Sequence, residues 1–143
     1  MKTDSSSPNQ ITDYLLTRAD YNLSQQSLNL KQSQVQDEMD FLGGIGRSFK
    51  IMSEYQVEDP FAPESPLVVN IGCLTGTAYM TGLRTYFTAY SPLKRTIQGA
   101  PMASWSAMSG SFGRKYRSTG LDDLVLTGLA ARPSILVLRQ GSD

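Results

Sequence analysis

The sequence has no histidine and a single cysteine, Cys73, among its 143 residues. Without histidine, Ser-His-Asp and Cys-His arrangements and histidine-based acid–base schemes are excluded. One thiol cannot form an internal disulfide, and the chain by itself lacks the ligands of a zinc or iron–sulfur site. We therefore expect the isolated chain to bind no metal and to have no redox activity.

Net charge and long apolar runs are missing as well. The 13 basic and 13 acidic residues cancel, which gives no general reason to expect nucleic acid or an anionic membrane as a partner. No apolar run approaches the roughly twenty residues that a membrane helix needs. No apolar core precedes Ile11, as a secretory signal would require. We expect a cytoplasmic protein.

The distribution of charge is uneven along the chain. Residues 1–60 contain five Lys or Arg against nine Asp or Glu, whereas residues 61–143 contain eight against four. A basic half is compatible with an anionic ligand, but a solvated basic face would have the same composition.

Periodicity and turn residues predict an α+β fold that is mainly β. Residues 1–12 are rich in Ser, Pro and Asn and are expected to form a disordered tail, followed by one domain over residues 13–143. Glycines at 43, 44 and 46 predict either a helix kink or close packing. A segment containing Met102 and Trp105 is expected to form a loop, either as a contact surface or folded back on the core. The predicted strands lie near 14–16, 28–30, 67–71, 85–90, 124–126 and 134–138, and the predicted helices at 33–42, 49–52 and 109–118.

The most informative stretch follows the predicted strand Leu67–Ile71. Three glycines (Gly72, Gly76 and Gly82) alternate with Thr75, Thr77 and Thr81, and Arg84 then opens the next strand. Glycine allows a ligand to approach the backbone closely, and arginine offers a planar fork suited to phosphate. A wide turn between two strands would also explain the glycines. Arg84 could likewise pair with Asp122 or Asp123 rather than with a ligand.

Several ordered motifs over some seventy residues resemble the N-terminal domain of the tungsten- and molybdenum-dependent aldehyde:ferredoxin oxidoreductases. In that family one strand ends in G-P-L-T-G-T, T-G-G-R opens the next, S-P-L-T-G follows, and S-G-G-Y-F-G opens a helix. The matching stretches here are Gly72-Cys73-Leu74-Thr75-Gly76-Thr77, Thr81-Gly82-Leu83-Arg84, Ser91-Pro92-Leu93-Lys94 and Ser109-Gly110-Ser111-Phe112-Gly113.

This resemblance implies that the domain forms a base for a bis-molybdopterin cofactor carrying tungsten or molybdenum. It implies that the matching arginine, Arg84, contacts cofactor phosphates. A family asparagine that helps to hold a bridging magnesium is replaced here by Ala107 or Met108, neither of which can ligate a hard cation. The cofactor-binding residues implied in this way are Arg84, Thr81, Gly82, Thr75, Gly76 and Gly110.

The resemblance also implies partners, because the family's cluster cysteines and catalytic pocket lie in later domains. The sequence is expected to end about midway through the family's first domain. One interpretation is a small subunit of a split oxidoreductase, whose larger partner supplies the pocket and a [4Fe-4S] cluster, with a ferredoxin-like carrier for electron transfer. The alternative is a non-catalytic interaction or scaffold protein that kept the fold and lost the cofactor.

Overall fold

A computed structural model describes residues 14–79 and 82–139. The predicted disordered tail over residues 1–12 therefore lies outside the described residues. No helix within the described ranges is long and apolar enough to cross a membrane. The elements, in chain order, are β1 (Leu15–Asn22), β2 (Ser27–Gln34), a 3-10 helix (Val35–Phe41), α1 (Gly44–Met52), β3 (Leu67–Ile71), β4 (Thr85–Arg95), β5 (Pro101–Met108), α2 (Ser111–Arg117) and β6 (Asp123–Thr127).

The six strands form one mixed sheet in the order β2-β1-β6-β3-β4-β5. Strands β1 and β6 run parallel, and every other neighbouring pair is antiparallel. With one sheet and three short helices, the α+β, mainly β class is confirmed. Strand β6 is last in the sequence but lies between β1 and β3, so the sheet centre forms only when distant parts of the chain meet.

The two α-helices pack on opposite faces of this sheet. Ile51 and Met52 of α1 pack against the buried apolar residues Val68 and Val125 on one face. On the opposite face, the Tyr116 ring of α2 packs in a cluster with Ala19, Val69, Ile71 and Leu124. Consecutive residues of β3 and of β6 thus pack into the hydrophobic clusters on opposite faces of the sheet, as expected because side chains alternate along a strand.

The strands predicted near 14–16 and 28–30 are both present and longer than expected, and they pair as an antiparallel hairpin from Leu15↔Gln34 to Asn22↔Ser27. The predicted helix over residues 33–42 is wrong in its start and its type. Ser33 belongs to β2, and the segment that follows is a 3-10 helix without a side-chain cap. This helix ends at Phe41 and α1 begins at Gly44; between them, an added Cβ on Gly43 would lie 2.6 Å from the Ile71 carbonyl oxygen. The helix break and the close packing therefore occur together.

Two predictions for the C-terminal half are corrected by the structure. The segment with Met102 and Trp105 is not a loop but the edge strand β5, which pairs with β4. The predicted strand at 134–138 has suitable residues but forms no strand, because no described neighbour pairs with its backbone. Ile135 is 91% exposed there, whereas Leu138 packs against the core cluster around Tyr116.

Candidate functional site

The glycine-rich loop, which connects β3 to β4, is held together by its own hydrogen bonds. The Thr75 hydroxyl accepts the Gly72 N–H at 3.2 Å and donates to the Arg84 carbonyl at 2.9 Å. The Gly76 N–H donates to the Gly82 carbonyl at 2.9 Å. Thr75 is only 3% exposed, so its hydroxyl is committed to joining the two ends of the loop.

Close packing explains two of the loop's glycines. A Cβ on Gly82 would lie 2.1 Å from the Leu74 carbonyl oxygen, a distance that no real side chain tolerates. Gly76 has φ +79, and its Cβ would lie 3.0 Å from the Arg117 Cβ. Both glycines therefore shape the loop, and their predicted role in binding a cofactor stays a prediction.

The other predicted site residues are placed differently. Thr81 lies outside the described residues. Arg84 is exposed, and no described side chain or carbonyl accepts a hydrogen bond from its guanidinium. Its suggested pairing with Asp122 or Asp123 is wrong, because those carboxylates bind other arginines. Gly110 has φ +99 before α2, and no atom lies within 4 Å of a Cβ built there, so its surroundings are open.

Sequence reasoning missed Arg117, which organises the loop from α2. Its Nε donates to the Thr75 carbonyl at 2.9 Å, and its Nη2 donates to the Gly72 and Cys73 carbonyls at 3.0 and 3.1 Å. Its Nη1 binds Asp122 Oδ1 at 3.0 Å. The three carbonyls precede Arg117 by more than forty residues, so no local spacing in the sequence could have indicated the contact.

Asp122 joins this network to the start of β1. Besides Arg117, its carboxylate accepts the Tyr14 hydroxyl at 2.8 Å and the Thr17 N–H at 2.9 Å. Burial and the hydrogen bond to Asp122 raise the pKa of Tyr14 to about 12. One buried carboxylate thus connects β1, α2 and, through Arg117, the glycine-rich loop.

A second charged cluster lies on the α1 face of the sheet. Arg47 pairs with the fully buried Asp123 at 2.5 Å and with Glu38 at 3.2 Å, and Lys50 also pairs with Glu38. Burial raises the pKa of Asp123 although Arg47 opposes the shift. Arg18 binds Asp20 and Glu54 in the same way, beside a cleft of about 280 Å³. Because its cations are matched by carboxylates, this cluster joins elements of the fold rather than offering charge to a ligand.

The glycine-rich loop therefore differs from that cluster in having cations without acidic partners. Arg84, directly before β4, and Arg114 of α2 are both exposed and are in none of the ion pairs among the described residues. Ala107 and Met108 lie on β5 opposite Tyr86 and Thr85 and offer no side-chain ligand for a metal. The donor set of the described residues fits a phosphate group better than a cation.

Comparison with known proteins identifies the fold and the relatives. A family model described as "Aldehyde ferredoxin oxidoreductase, N-terminal domain" matches residues 19–142. A tungsten-containing aldehyde ferredoxin oxidoreductase of Pyrococcus abyssi is 32% identical over 95 residues, which are 66% of this chain and 15% of the relative. The enzyme of the same name from Pyrococcus furiosus is 32% identical over 81 residues, or 57% of this chain and 12% of the relative.

A solved structure supports the same fold. The chain resembles a chain of the active-site complex BamBC of benzoyl coenzyme A reductase, with a TM-score of 0.71 and 24% identity. The match covers 80% of this chain and 17% of that chain. The chain thus spans between 12% and 17% of the length of these three proteins.

Proposed function

This chain belongs to the family of aldehyde ferredoxin oxidoreductase N-terminal domains, and we propose that it is the small, cofactor-cradling subunit of a tungsten- or molybdenum-pterin oxidoreductase. A larger partner chain supplies the catalytic pocket and a [4Fe-4S] cluster, and a ferredoxin-like carrier exchanges electrons with the assembled enzyme. The cytoplasm is the proposed location. The pterin-bound metal supplies the redox chemistry when bound, and the residues of this chain bind and orient its phosphate groups.

The observation that carries the proposal is the exposed Arg84 side chain beside a glycine-rich loop whose described residues are hydrogen-bonded to one another. The Thr75 hydroxyl links the Arg84 carbonyl to the start of the loop, and Arg117 of α2 donates hydrogen bonds to the loop carbonyls. The Arg84 guanidinium remains exposed and is not used by any described acceptor. Bidentate recognition of a phosphate requires a guanidinium group that has no other hydrogen-bond acceptor and is attached to an ordered backbone.

In this proposal the predicted site residues have two roles. Arg84 contacts the phosphate groups directly, while Gly110 leaves open space beside α2. Thr75, Gly76 and Gly82 keep the loop in the shape that presents Arg84, and Thr81 belongs to the same loop. None of these residues carries out the redox step.

The partner is proposed from what this sequence lacks. A single cysteine cannot bind a [4Fe-4S] cluster, so cluster ligands must come from elsewhere in an active enzyme. The sheet also exposes apolar side chains at its two edges, among them Leu28 and Leu30 on β2 and Trp105 on β5. Large exposed apolar groups at strand edges are suited to burial against another chain.

The non-catalytic scaffold remains the competing proposal, and one specific observation favours it. The contacts of Thr75 and Gly82 within the loop, and of Gly76 with Arg117 of α2, explain these residues without a cofactor. A scaffold would keep such a loop for stability alone. The two proposals differ in whether Arg84 affects cofactor content.

The deciding experiment purifies the protein from its native host and measures tungsten, molybdenum, iron and pterin in the complex. We expect a cysteine-rich partner, metal and pterin to copurify with the chain. Arg84→Met should lower pterin occupancy, since a charged hydrogen bond contributes about 1.5–3 kcal/mol, and Arg84→Lys should restore only part of it. The matched control is Arg132→Met, which removes an exposed arginine from the C-terminal segment.

Thermal unfolding separates the two proposals. Arg84→Met should leave the melting temperature nearly unchanged, because the guanidinium has no described partner to lose. Full pterin occupancy in a folded Arg84→Met complex would refute a role for Arg84 in binding the cofactor. If neither a metal nor a cysteine-containing partner copurifies with the wild-type chain, the result would favour the scaffold proposal.

A further inference from the structure

The free edge of β5 carries no charge. This strand is last in the sheet order, so one of its edges pairs with β4 and the other with no described strand. None of its eight residues is charged, whereas β2 at the opposite end of the sheet carries Lys31. Its pairing with β4 is regular from Ala103 to Met108, and the register shift lies beyond this part. A long, regular edge strand without charges is a template for the addition of another strand.

Large apolar side chains are exposed on both faces of β5. Trp105 is 48% exposed, and its ring contacts that of Tyr86 with the centroids 6.2 Å apart. Met102 and Met108 are exposed on the other face, because side chains alternate along a strand. A strand added to this edge would therefore bury apolar surface on both faces as well as pair the backbone.

The sequence of this edge reads the same in both directions. Residues 102–108 are Met-Ala-Ser-Trp-Ser-Ala-Met, with Trp105 at the centre. When two identical strands pair antiparallel about a two-fold axis, positions at equal distances on either side of the axis lie opposite each other. An axis at Trp105 therefore places tryptophan opposite tryptophan, serine opposite serine, alanine opposite alanine and methionine opposite methionine.

This register is better matched than its neighbours. An antiparallel pair about a two-fold axis keeps the same face of both sheets on the same side, so the registers open to it differ by two residues. A slip of two residues would place Trp105 opposite Ala103 or Ala107 of the other copy, and one methionine opposite a serine. Because directly opposite side chains are the units that stabilise a sheet, the register centred on Trp105 is the favoured one.

We propose that the free edge of β5 binds a second copy of this chain, with the two β5 strands antiparallel about a two-fold axis at Trp105. Two six-stranded sheets then form one continuous sheet. Lys94 donates to the Ser104 hydroxyl at 3.4 Å beside this edge, and its exposed side chain can turn into solvent on association. This inference goes beyond the proposed function and does not depend on it, since the β2 edge and the glycine-rich loop stay available to a larger partner.

Sedimentation equilibrium of the full chain tests the association. The interface is small, so we expect a dissociation constant on the order of 10 μM and, at about 200 μM, a mass approaching twice 15.7 kDa. Trp105→Lys and Trp105→Glu each place like charges opposite each other across the axis and should weaken self-association at least tenfold. An equimolar mixture of these two variants should recover a dimer, because opposite charges then face each other.

The matched control is Leu30→Lys, which replaces an exposed apolar residue by lysine on the other edge strand, β2. It should leave the dissociation constant within about threefold of the wild-type value. Circular dichroism and thermal unfolding would verify that each variant folds.

Cysteine cross-linking tests the register with smaller substitutions. All variants carry Cys73→Ser, because Cys73 is exposed. Opposite Cα atoms of an antiparallel pair are about 4.5–5.5 Å apart, which suits a disulfide, so Trp105→Cys should form a cross-linked dimer. The two Ala103 positions would be about 14 Å apart, so Ala103→Cys alone should form none, whereas a mixture of Ala103→Cys with Ala107→Cys should.

Each outcome supports or overturns the inference. A wild-type chain that stays monomeric at about 200 μM overturns it. So do Trp105 variants that associate as tightly as Leu30→Lys, or a mixture of the two that forms no dimer. Cross-linking of Ala103→Cys alone as fast as that of its mixture with Ala107→Cys shows a different register and also overturns it. Failure here leaves the proposed subunit role to be decided by the metal and pterin content of the complex.

Discussion

Arg117→Met should unfold the glycine-rich loop and destabilise the domain. The substitution keeps most of the side-chain length but removes the donors to the Gly72, Cys73 and Thr75 carbonyls and to Asp122. Hydrogen bonds from a charged group contribute about 1.5–3 kcal/mol each, but they are not additive within a network. The loop carbonyls can also be hydrated once the loop opens.

The largest loss comes from Asp122, which is 4% exposed and would keep only Tyr14 and the Thr17 N–H as partners. Removing one member of a buried pair costs about 3–5 kcal/mol, and the 22% exposure of the Arg117 side chain reduces this. We expect the free energy of unfolding to fall by about 2–4 kcal/mol. With a urea slope of about 2 kcal/mol per molar, the midpoint should fall by about 1–2 M.

Urea denaturation and amide hydrogen exchange test this reasoning together. Exchange should accelerate at Thr75 and Gly76, whose N–H groups bond within the loop, and Arg117→Lys should recover part of the stability. Arg114→Met on the same helix is the control and should shift the midpoint little. A midpoint for Arg117→Met equal to that of the control, with unchanged exchange at both amides, would refute the assigned role.

Two further predictions concern packing and charge. Gly113→Ala should destabilise the domain by about 1–3 kcal/mol, because its Cβ would lie 2.8 Å from the Thr75 methyl carbon. Gly46→Ala in α1 has open space around its Cβ and should stabilise the domain by about 0.5–1 kcal/mol; equal urea midpoints for the two variants would contradict this. Burial opposes ionisation of Glu38, but Lys50 and Arg47 outweigh burial and lower the pKa of this carboxyl group. Its ion pairs therefore stabilise the fold at pH values above the usual glutamate pKa, and this stabilisation is lost as the pH falls through the lowered pKa. Glu38→Gln should therefore cost about 1 kcal/mol at pH 7 and nothing well below about pH 4, as measured by urea midpoints across pH; a difference from wild type that persists in acid would contradict it.

Local patterns in the sequence were sufficient to predict most strands of the sheet. The apolar run Leu67–Ile71 and the alternating run from Thr85 became β3 and β4, and the hairpin of β1 and β2 formed despite having no glycine in its turn. Gln26 adopts φ 51 there instead. These elements depend on residues that are near one another in the sequence, which is why periodicity could predict them.

The elements that were predicted wrongly depend on contacts with distant residues, which the periodicity of a short segment cannot indicate. β5 forms because β4 continues to Arg95 and offers an edge for pairing. The segment at 134–138 has stronger strand residues but meets no edge among the described strands, so propensity alone does not make it a strand. Arg117 was missed for the same reason, since its acceptors lie on a loop distant in the sequence.

Asp122, directly before β6, and Asp123, its first residue, together set the geometry around the loop. Adjacent residues of a strand point to opposite faces, so Asp123 pairs with Arg47 of α1 while Asp122 pairs with Arg117 of α2. Because β6 lies at the sheet centre, this pair fixes both helices relative to the same strand. Arg84 and Arg114 form no ion pair among the described residues, and both carboxylates have other arginines as partners. The fold thus uses these two buried acids for structure and leaves Arg84 and Arg114 beside the glycine-rich loop exposed.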